Sequence, residues 1–292
     1  AFDFVAQAMS GWMTMTGTPE SGPLRSGPPV SDLVAGLYAA LGTVAAQWGM
    51  VLVYVVVIGR IARQHRAPLR PHRAGLRGSA RAGGWLFLRT LSLRIAMLLT
   101  IVVATALGTE ELAGYQVVFT IFSTAAFALD ALAIAAQALI GKSLGAGDLP
   151  AVRFVLRRTL QWGALFGVIV GAVIAALSGV IGIAFTGDPA LAALIQPALL
   201  VLAIAQPLAG VVFVHDGVLI GAGDVQYLAL TGALNLACYL PLLWWVTAGG
   251  THGAAALAWL SAAFFGGYLA ARAATLALRA RGSAWQRAGA RG

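Results

Sequence analysis

Charge is what this sequence has least of. Charged residues make up only 10% of its 292 residues, whereas a soluble domain carries about 25%. Hydrophobic residues make up 60%, and the mean hydropathy is +0.85. These values exclude an ordinary soluble domain and predict an integral membrane protein that has the lipid bilayer as its main partner.

Other absences bear on enzymatic function. The single cysteine, Cys238, cannot form an intrachain disulfide. The four histidines are scattered and none has a second ligand at helical spacing, so we expect no metal site and no cofactor. The sequence also lacks the HExxH motif of zinc hydrolases and the Walker-type motif of nucleotide-binding enzymes. We therefore expect that the chain is not an enzyme.

Long apolar stretches are what the sequence does contain. A bilayer core of roughly 30 Å requires about 20 apolar residues in a helix. No window shows the period-two alternation of a membrane β-strand, and the abundance of small residues suits close helix packing in lipid. The sequence predicts an all-α membrane protein, a polytopic bundle of transmembrane helices. Its seven predicted spans are 33–59, 83–107, 112–140, 160–185, 190–220, 225–247 and 252–278.

The net charge of +9 is unevenly distributed. Basic residues concentrate in a linker at 60–82, in the loop 141–158 and in the tail from 272 onward, whereas acids such as Glu110 and Glu111 lie between other spans. With seven spans, the basic segments share one side of the membrane, which the positive-inside rule makes cytoplasmic. The pattern predicts a multi-pass protein of the plasma (inner) membrane with an external N-terminus and a cytoplasmic C-terminus. Because the basic residues form no patch on a soluble domain, we expect no nucleic-acid partner.

The motif GAGD occurs twice, at 145–148 and at 221–224. A glycine-rich loop beside an acid can bind phosphate, but a dinucleotide-binding loop needs a preceding strand and a third glycine. Both copies instead follow an apolar helix. We favour the alternative that each is a corner between helices. A left-handed glycine then ends one helix, and Asp148 or Asp224 caps the next.

Ionisable residues inside the predicted spans are candidates for function, because burying charge in lipid is costly. Arg94 and Asp130 each lie about ten residues from the cytoplasmic end of their spans, which corresponds to roughly 15 Å. Arg89 and Asp216 lie about five residues in, at roughly half that depth. The matched depths predict two ion pairs, Arg94–Asp130 and Arg89–Asp216. Alternatively, Arg89 extends to the lipid headgroups.

A polar stripe follows the third span. Gln116, Ser123, Asp130 and Gln137 recur at intervals of seven residues, and a helix drifts only about 20° per heptad. Such a stripe is typical either of a hydrogen-bonded seam between helices or of the wall of a transport cavity. We favour the cavity wall.

The fifth and sixth spans add further polar candidates for this cavity. Pro207 removes a backbone hydrogen bond near the middle of the fifth span, so we expect a kink there and expect this span to be the most readily broken one. Gln206 lies beside that proline. In the sixth span, Asn235 shares a polar face with Thr231 and Tyr239 at spacings of four.

Three segments together resemble the multidrug and toxic compound extrusion (MATE) family. They are FALDALAIAAQALIGKSLGAGD at 127–148, FVHDGVLIGAGD at 213–224 and LFLRTLSLR at 86–94. Within the family, the DNA-damage-inducible F-like branch is the most similar. The resemblance covers about residues 33–280 and implies a fold of twelve helices in two six-helix lobes around a central cleft. By that comparison, the seven spans resemble helices six to twelve.

The resemblance also implies a function and a layout. Members export small organic, often cationic, substrates in exchange for protons or sodium, as secondary-active multidrug antiporters. The acids usually assigned to proton coupling lie in the N-terminal lobe, most of which this chain lacks, so we assign no coupling residue. The implied layout has an external segment at 1–32 that retains part of a fifth helix, the last helix of the N-terminal lobe at 33–59, the inter-lobe linker at 60–82, the C-terminal lobe at 83–279 and a tail at 280–292.

The resemblance places Arg89, Arg94, Asp130, Gln137 and Asp216 in the cleft of the second lobe, since they match the branch pattern there. Two other functions remain open. One is a lipid or polysaccharide flippase of the same superfamily, which would need a larger and more cationic cavity. The other is a membrane fragment or assembly partner that does not transport.

Overall fold

The computed structural model describes residues 30–64 and 73–286. Within these ranges the chain forms helices and short turns and contains no β-strand. Seven helical segments there are long and apolar enough to cross a membrane, which confirms the predicted all-α bundle. The predicted external segment lies almost wholly outside the described residues, as do the middle of the linker and the end of the tail.

The first helix, α1, spans Val30–Gln64 and belongs to a unit of its own, residues 1–72. Its apolar part, Leu41–Gln64, is long enough to cross a membrane. Nearly all of the side chains in this part are exposed. A helix that is apolar on every side is typical of a segment surrounded by lipid or by other membrane helices.

The second unit, which begins at Arg73, contains the other six spans. Several helices extend beyond the predicted spans into the linker and the loop, because arginine, leucine and alanine favour helix on both sides of the membrane boundary. The single-helix spans are α2 (Arg73–Leu107), α3 (Thr109–Gly145), α4 (Leu149–Thr186), α5 (Pro189–Gly221) and α6 (Val225–Ala248). The last span consists of α7 (Gly253–Ser261), a π-helical segment (Ala262–Tyr268) and α8 (Leu269–Arg281).

Helix α5 is the most buried span of this unit and packs against α3, α4 and the last span. Its contact with α4 is made through backbone atoms. Gly163 lies against Gly210, and Gly167 lies against Gln206 and Pro207, with no room for a Cβ at either α4 glycine. Small residues allow this approach in lipid, where packing rather than the hydrophobic effect drives helix association.

A second glycine pair joins α5 to α3. Gly217 lies against the backbone of Ala133, and Gly221 lies against the backbone of Gln137. The two glycines are four residues apart and therefore occupy one face of α5. Because Asp216 directly precedes the first of them, this contact fixes how Asp216 is oriented relative to α3.

Helix α5 is continuous from Pro189 to Gly221, with Pro207 inside it. The span is thus unbroken at Pro207, contrary to the expectation that it is the most readily broken one, and Gly167 supports it there by packing directly against the backbone of Pro207. The irregular span is the last one, which contains the π-helical segment. Such segments are rare and occur frequently at functional sites.

The two GAGD loops form similar corners between helices. Gly147 and Gly223 both have a φ of 73°, and the N–H of the following aspartate donates to a carbonyl five residues earlier, that of Ser143 or Leu219, at 3.0 Å. This is the Schellman pattern that ends a helix. The interpretation of the loops as corners is confirmed.

The two corners differ in what their aspartates bind. Asp148 caps α4 by accepting a hydrogen bond from the N–H of Ala151 at 2.9 Å. The side chain of Asp224 makes no capping bond, so the prediction of a cap is wrong there. Instead, its two oxygens accept from Nε and Nη2 of Arg279 at 2.6 and 3.1 Å. The guanidinium of Arg279, at the end of α8, lies 4.7 Å from the centroid of the Tyr227 ring. Its charge-assisted hydrogen bonds to Asp224 replace the capping bond that the aspartate would otherwise accept from a backbone N–H.

Candidate functional site: a charged cleft

A cleft of about 450 Å³ lies between α2, α3, α5 and the last span. This volume suits a small organic ligand, because ligand pockets typically measure about 300 to 1,000 Å³. Helix α3 contributes one face, with successive lining positions one or three residues apart from Phe119 to Gln137. The cleft is therefore built by helices of one unit and lies within its membrane-spanning segments.

Most of the predicted site residues line this cleft. They come from three helices, α2, α3 and α5, which the sequence alone does not place side by side. They are Arg89, Arg94, Ser123, Asp130, Gln137 and Asp216.

The remaining candidates lie elsewhere. Gln116 is exposed on α3, three residues before Phe119, the first α3 residue that lines the cleft. Gln206 is fully buried between α4 and α5, and its side-chain amide has no hydrogen-bond partner among the described residues. Asn235 donates to the hydroxyl of Thr275 at 3.2 Å. It lines a much smaller cavity of about 10 Å³ on the α6 side, which is about the size of one water molecule.

Asp216 forms ion pairs with two arginines. Nη2 of Arg89, from α2, and Nη2 of Arg272, from α8, both donate to Oδ2 of Asp216, the second at 2.7 Å. We call these three residues the triad. Their side chains are only 19%, 11% and 12% exposed for Arg89, Arg272 and Asp216. Pairing offsets part of the cost of holding charge inside a membrane.

The triad contains one pair that the sequence predicts and one residue that sequence reasoning missed. The Arg89–Asp216 pair is present, whereas the alternative, in which Arg89 extends to the headgroups, does not occur. The charge pattern of the sequence places Arg272 in the basic tail. The available signal was its position, because residue 272 falls inside the predicted span 252–278 and an arginine there needs a partner.

The predicted pair between Arg94 and Asp130 is wrong. None of the ion pairs within the described ranges joins them, although both are exposed side chains that line the cleft. Equal depth does not fix the direction of a side chain. Arg94 lies five residues after Arg89, which rotates it by roughly 140° around α2. When Arg89 faces Asp216, Arg94 therefore points to a different part of the cleft.

The triad has hydrogen-bonding capacity beyond its own contacts. Nε of Arg89 and Oδ1 of Asp216 are buried and have no hydrogen-bond partner among the described residues. Buried polar atoms are paired in the great majority of cases. Both arginines donate to the same carboxylate oxygen, Oδ2, so Oδ1 receives no hydrogen bond within the described residues.

Aromatic rings form much of the apolar wall. Phe122 packs edge-on to Phe264 at 6.2 Å and tilted to Phe265 at 4.9 Å between ring centroids. Further rings from α3, α5 and the π-helical segment line the same cleft. Aromatic pairs of this kind prefer edge-on and offset arrangements, which gives the wall a defined shape.

A family model and several known proteins match this chain. Residues 86–245, more than half of the chain, match the model described as MatE. DETOXIFICATION 45, chloroplastic, of Arabidopsis thaliana is 27% identical over 200 residues, which cover 67% of this chain and 34% of that protein. DETOXIFICATION 43 of the same plant is 29% identical over 193 residues, covering 65% and 36%. The chain spans about a third of the length of the curated relatives it matches.

Solved structures support the fold. A Vibrio cholerae MATE transporter in its bent form matches with a TM-score of 0.66 at 18% identity, covering 76% of this chain and 50% of that one. An outward-facing multidrug resistance MATE family transporter matches with a TM-score of 0.60 at 18% identity, covering 69% and 43%. At this identity, the likeness shows the fold alone.

A shorter match concerns another family. Residues 1–49 match the model described as CoA-transferase family III. Succinate–glutarate CoA-transferase of Agrobacterium fabrum is 38% identical over 45 residues, which are 15% of this chain and 11% of that protein. The matched residues 1–49 contain no residue of the cleft.

The MatE match, by contrast, includes the α2, α3 and α5 residues that line the cleft. Members of this family are transporters, so the expectation that the chain is not an enzyme is confirmed. Two observations thus agree: the family model covers most of the helical unit, and that unit has the fold of solved MATE transporters. The chain belongs to the MatE family.

Proposed function

We propose that this chain forms the cleft-bearing part of a secondary-active exporter, which moves small organic compounds, xenobiotics among them, across the membrane in exchange for a cation, most favourably a proton. The observation that carries the proposal is the cleft itself, about 450 Å³ in volume and lined by charged, polar and aromatic side chains inside membrane-spanning helices. Charged residues in such positions typically mark a substrate or ion pathway.

Membership of the MatE family supports transport as the activity. The plant relatives carry the name DETOXIFICATION, and one structural neighbour is described as a multidrug resistance transporter. We assign the chain to the DNA-damage-inducible F-like branch on the segments 127–148, 213–224 and 86–94. The relatives are two to three times longer than the part that this chain matches. We therefore propose that the cleft works together with a second lobe like theirs, which carries the coupling site.

The distribution of arginines supports an orientation. Arg81 near the start of α2 and Asp224 at the α5–α6 corner line one surface pocket, and Asp224 also binds Arg279 at the end of α8. This end of the helical unit is rich in basic residues, which favours the cytoplasmic side under the positive-inside rule. We propose that the C-terminus is cytoplasmic and that the protein lies in the plasma (inner) membrane.

The size of the cleft favours an exporter of small compounds over a flippase. A lipid or polysaccharide headgroup with its attached chain needs a larger or laterally continuous cavity, whereas about 450 Å³ corresponds to a drug-sized ligand. A fragment that does not transport has no need for a charged cleft. Measuring ligand binding in the cleft therefore distinguishes the exporter from this alternative.

The proposal is tested by filling the cleft with a large side chain placed on the face of α3 that lines it. Ala126 lines the cleft, whereas Ala128 is exposed on the same helix and is not part of the lining. We expect Ala126→Trp to abolish the binding of a tritiated aromatic probe to the purified chain in lipid nanodiscs, and Ala128→Trp to leave it intact.

Two probes, one anionic and one cationic, are measured with each variant in that test. If neither binds to the unaltered chain, or if Ala126→Trp binds both as well as Ala128→Trp does, the cleft is not the binding site and the proposal is wrong. In proteoliposomes under a proton gradient, we expect transport only when a second lobe is supplied. Transport by the 292-residue chain alone would overturn the need for that lobe.

A further inference from the structure

We infer that the cleft selects organic anions that have an aromatic body and a carboxylate group, with Arg94 and the arginines of the triad as the groups that hold the carboxylate. The inference rests on the proposed function, because it names the substrate class of the same cleft. It departs from the organic cations that the family resemblance implies.

The charges that line the cleft do not balance. The charged side chains that line the cleft are three arginines, Arg89, Arg94 and Arg272, and two aspartates, Asp130 and Asp216. Three positive charges against two negative charges leave an excess of one positive charge. Coulomb interactions weigh more in a site with little water than in bulk solvent, so this excess attracts an anion and repels a cation.

Some of these charges are engaged in ion pairs and others are not. Both arginines of the triad bind the same aspartate, so the triad as a whole carries one net positive charge. Arg94 forms no ion pair within the described residues and is exposed. Asp130 is the only acid of the cleft without an ion pair there. A cation would therefore find one available carboxylate, opposed by Arg94 in the same cleft.

The arginines of the cleft also have the hydrogen-bonding geometry that suits a carboxylate. A guanidinium presents up to five N–H donors in a planar fork that matches a carboxylate. Arg94 lines the cleft, is exposed and forms no ion pair within the described residues, so its fork is available to a ligand. A carboxylate is the group that accepts from such donors in pairs, and these charge-assisted bonds are among the stronger ones in proteins.

The aromatic side chains of the cleft indicate what the rest of the ligand is. Rings from three elements line the cleft beside these arginines, among them Phe119, Phe127, Phe213 and Tyr268. Phe127 is 76% exposed, which leaves its face available for contact. Aromatic faces and edges stack with other rings in preferred geometries. A small inorganic anion would use none of this surface, whereas an aromatic carboxylate uses both parts of the cleft.

The experiment compares two tritiated probes with the same ring system and opposite charge, 2-naphthoate and 2-naphthyl-trimethylammonium. Binding to the purified 292-residue chain is measured in nanodiscs of phosphatidylcholine, which has no net charge. We expect naphthoate to bind about 25-fold more tightly, because one excess charge shifts the affinity of each probe by about fivefold, in opposite directions for the two probes.

Two single substitutions then test the sign of each charge. Arg94→Gln should weaken naphthoate and strengthen the ammonium probe, each by about fivefold, the size expected for one charge at contact distance near water. Asp130→Asn should change both affinities in the opposite directions. Neither substitution breaks an ion pair of the described residues. Arg153→Gln, at an exposed position of α4 outside the cleft, is the matched control and should change neither probe.

The outcomes separate the inference from the proposed function. Opposite shifts of the two probes support charge selection, since structural damage would weaken both together. Tighter binding of the ammonium probe, or equal weakening of both probes by Arg94→Gln, overturns the inference and leaves the proposed function standing. If neither probe binds, both the inference and the proposed function are overturned.

Discussion

Asp130 and Asp216 line one cleft, but their surroundings differ. Asp216 is 12% exposed and is held by Arg89 and Arg272, whereas Asp130 is exposed and has no ion pair within the described residues. The difference comes from the helices that carry them. Asp216 lies on α5, which packs against α3, α4 and the last span, while Asp130 lies on the open face of α3. The same residue type therefore fastens helices in one place and is available to a ligand in the other.

The difference between the two aspartates predicts the largest loss of stability when Asp216 is neutralised. Asp216→Asn leaves two buried guanidinium groups without their carboxylate, and removing one partner of a buried pair typically costs about 3 to 5 kcal/mol of unfolding free energy. The measurement is unfolding of the detergent-solubilised chain, followed by circular dichroism during denaturant titration. A variant as stable as the unaltered chain would show that the triad does not fasten α2, α5 and α8.

A smaller loss of unfolding free energy is expected when a substitution moves α5 away from α3. At Gly217 a Cβ would lie 2.8 Å from the carbonyl carbon of Ala133, so Gly217→Ala forces the helices apart. Overpacking of this kind costs about 1 to 3 kcal/mol. The matched control is Gly179→Ala, where the nearest atom, Nε2 of Gln196, lies 3.8 Å away. The same titration should show a loss for the first variant and none for the control, and equal stabilities would contradict the backbone contact.

Removing one arginine from the triad should cost less than removing its acid. Arg272→Gln leaves Asp216 paired with Arg89, so no buried charge loses its last partner. The loss should be near that of a hydrogen bond to a charged group, about 1.5 to 3 kcal/mol, reduced by the relief of repulsion between two cations. Its unfolding midpoint should therefore lie between those of Asp216→Asn and the unaltered chain. A loss larger than that of Asp216→Asn would mean that Arg272 has a further role.

The smallest change in stability is expected at Asp130. Asp130→Asn removes an exposed acid that makes no ion pair within the described residues, so the free energy of unfolding should change by less than about 0.5 kcal/mol. Transport should change instead. When each chain is joined to a second lobe, the rate of proton-driven export of an aromatic probe should differ between Asp130→Asn and the unaltered protein. Unaltered export by this well-folded variant would remove Asp130 from the mechanism.

The sequence alone determined the class and the spans of this protein. Apolar runs of about 20 residues suffice to predict membrane helices because the bilayer imposes one length on all of them. The GAGD corners were equally readable, since Gly147 and Gly223 meet a local backbone requirement that involves no distant residue. The Arg89–Asp216 pair followed from depth and opposite charge, because a charge inside the membrane needs a partner at its own level.

Only the tertiary structure decided which side chains meet around the helix axes. Depth is one coordinate, and the rotation of each helix is set by its packing, here by the backbone contacts at Gly167 and Gly217. That rotation directs Arg94 away from a pair with Asp130, buries Gln206 between α4 and α5, and brings Arg272 to Asp216. The packing depends on contacts between residues far apart in the chain, and the depth of a residue in its own span does not encode these contacts.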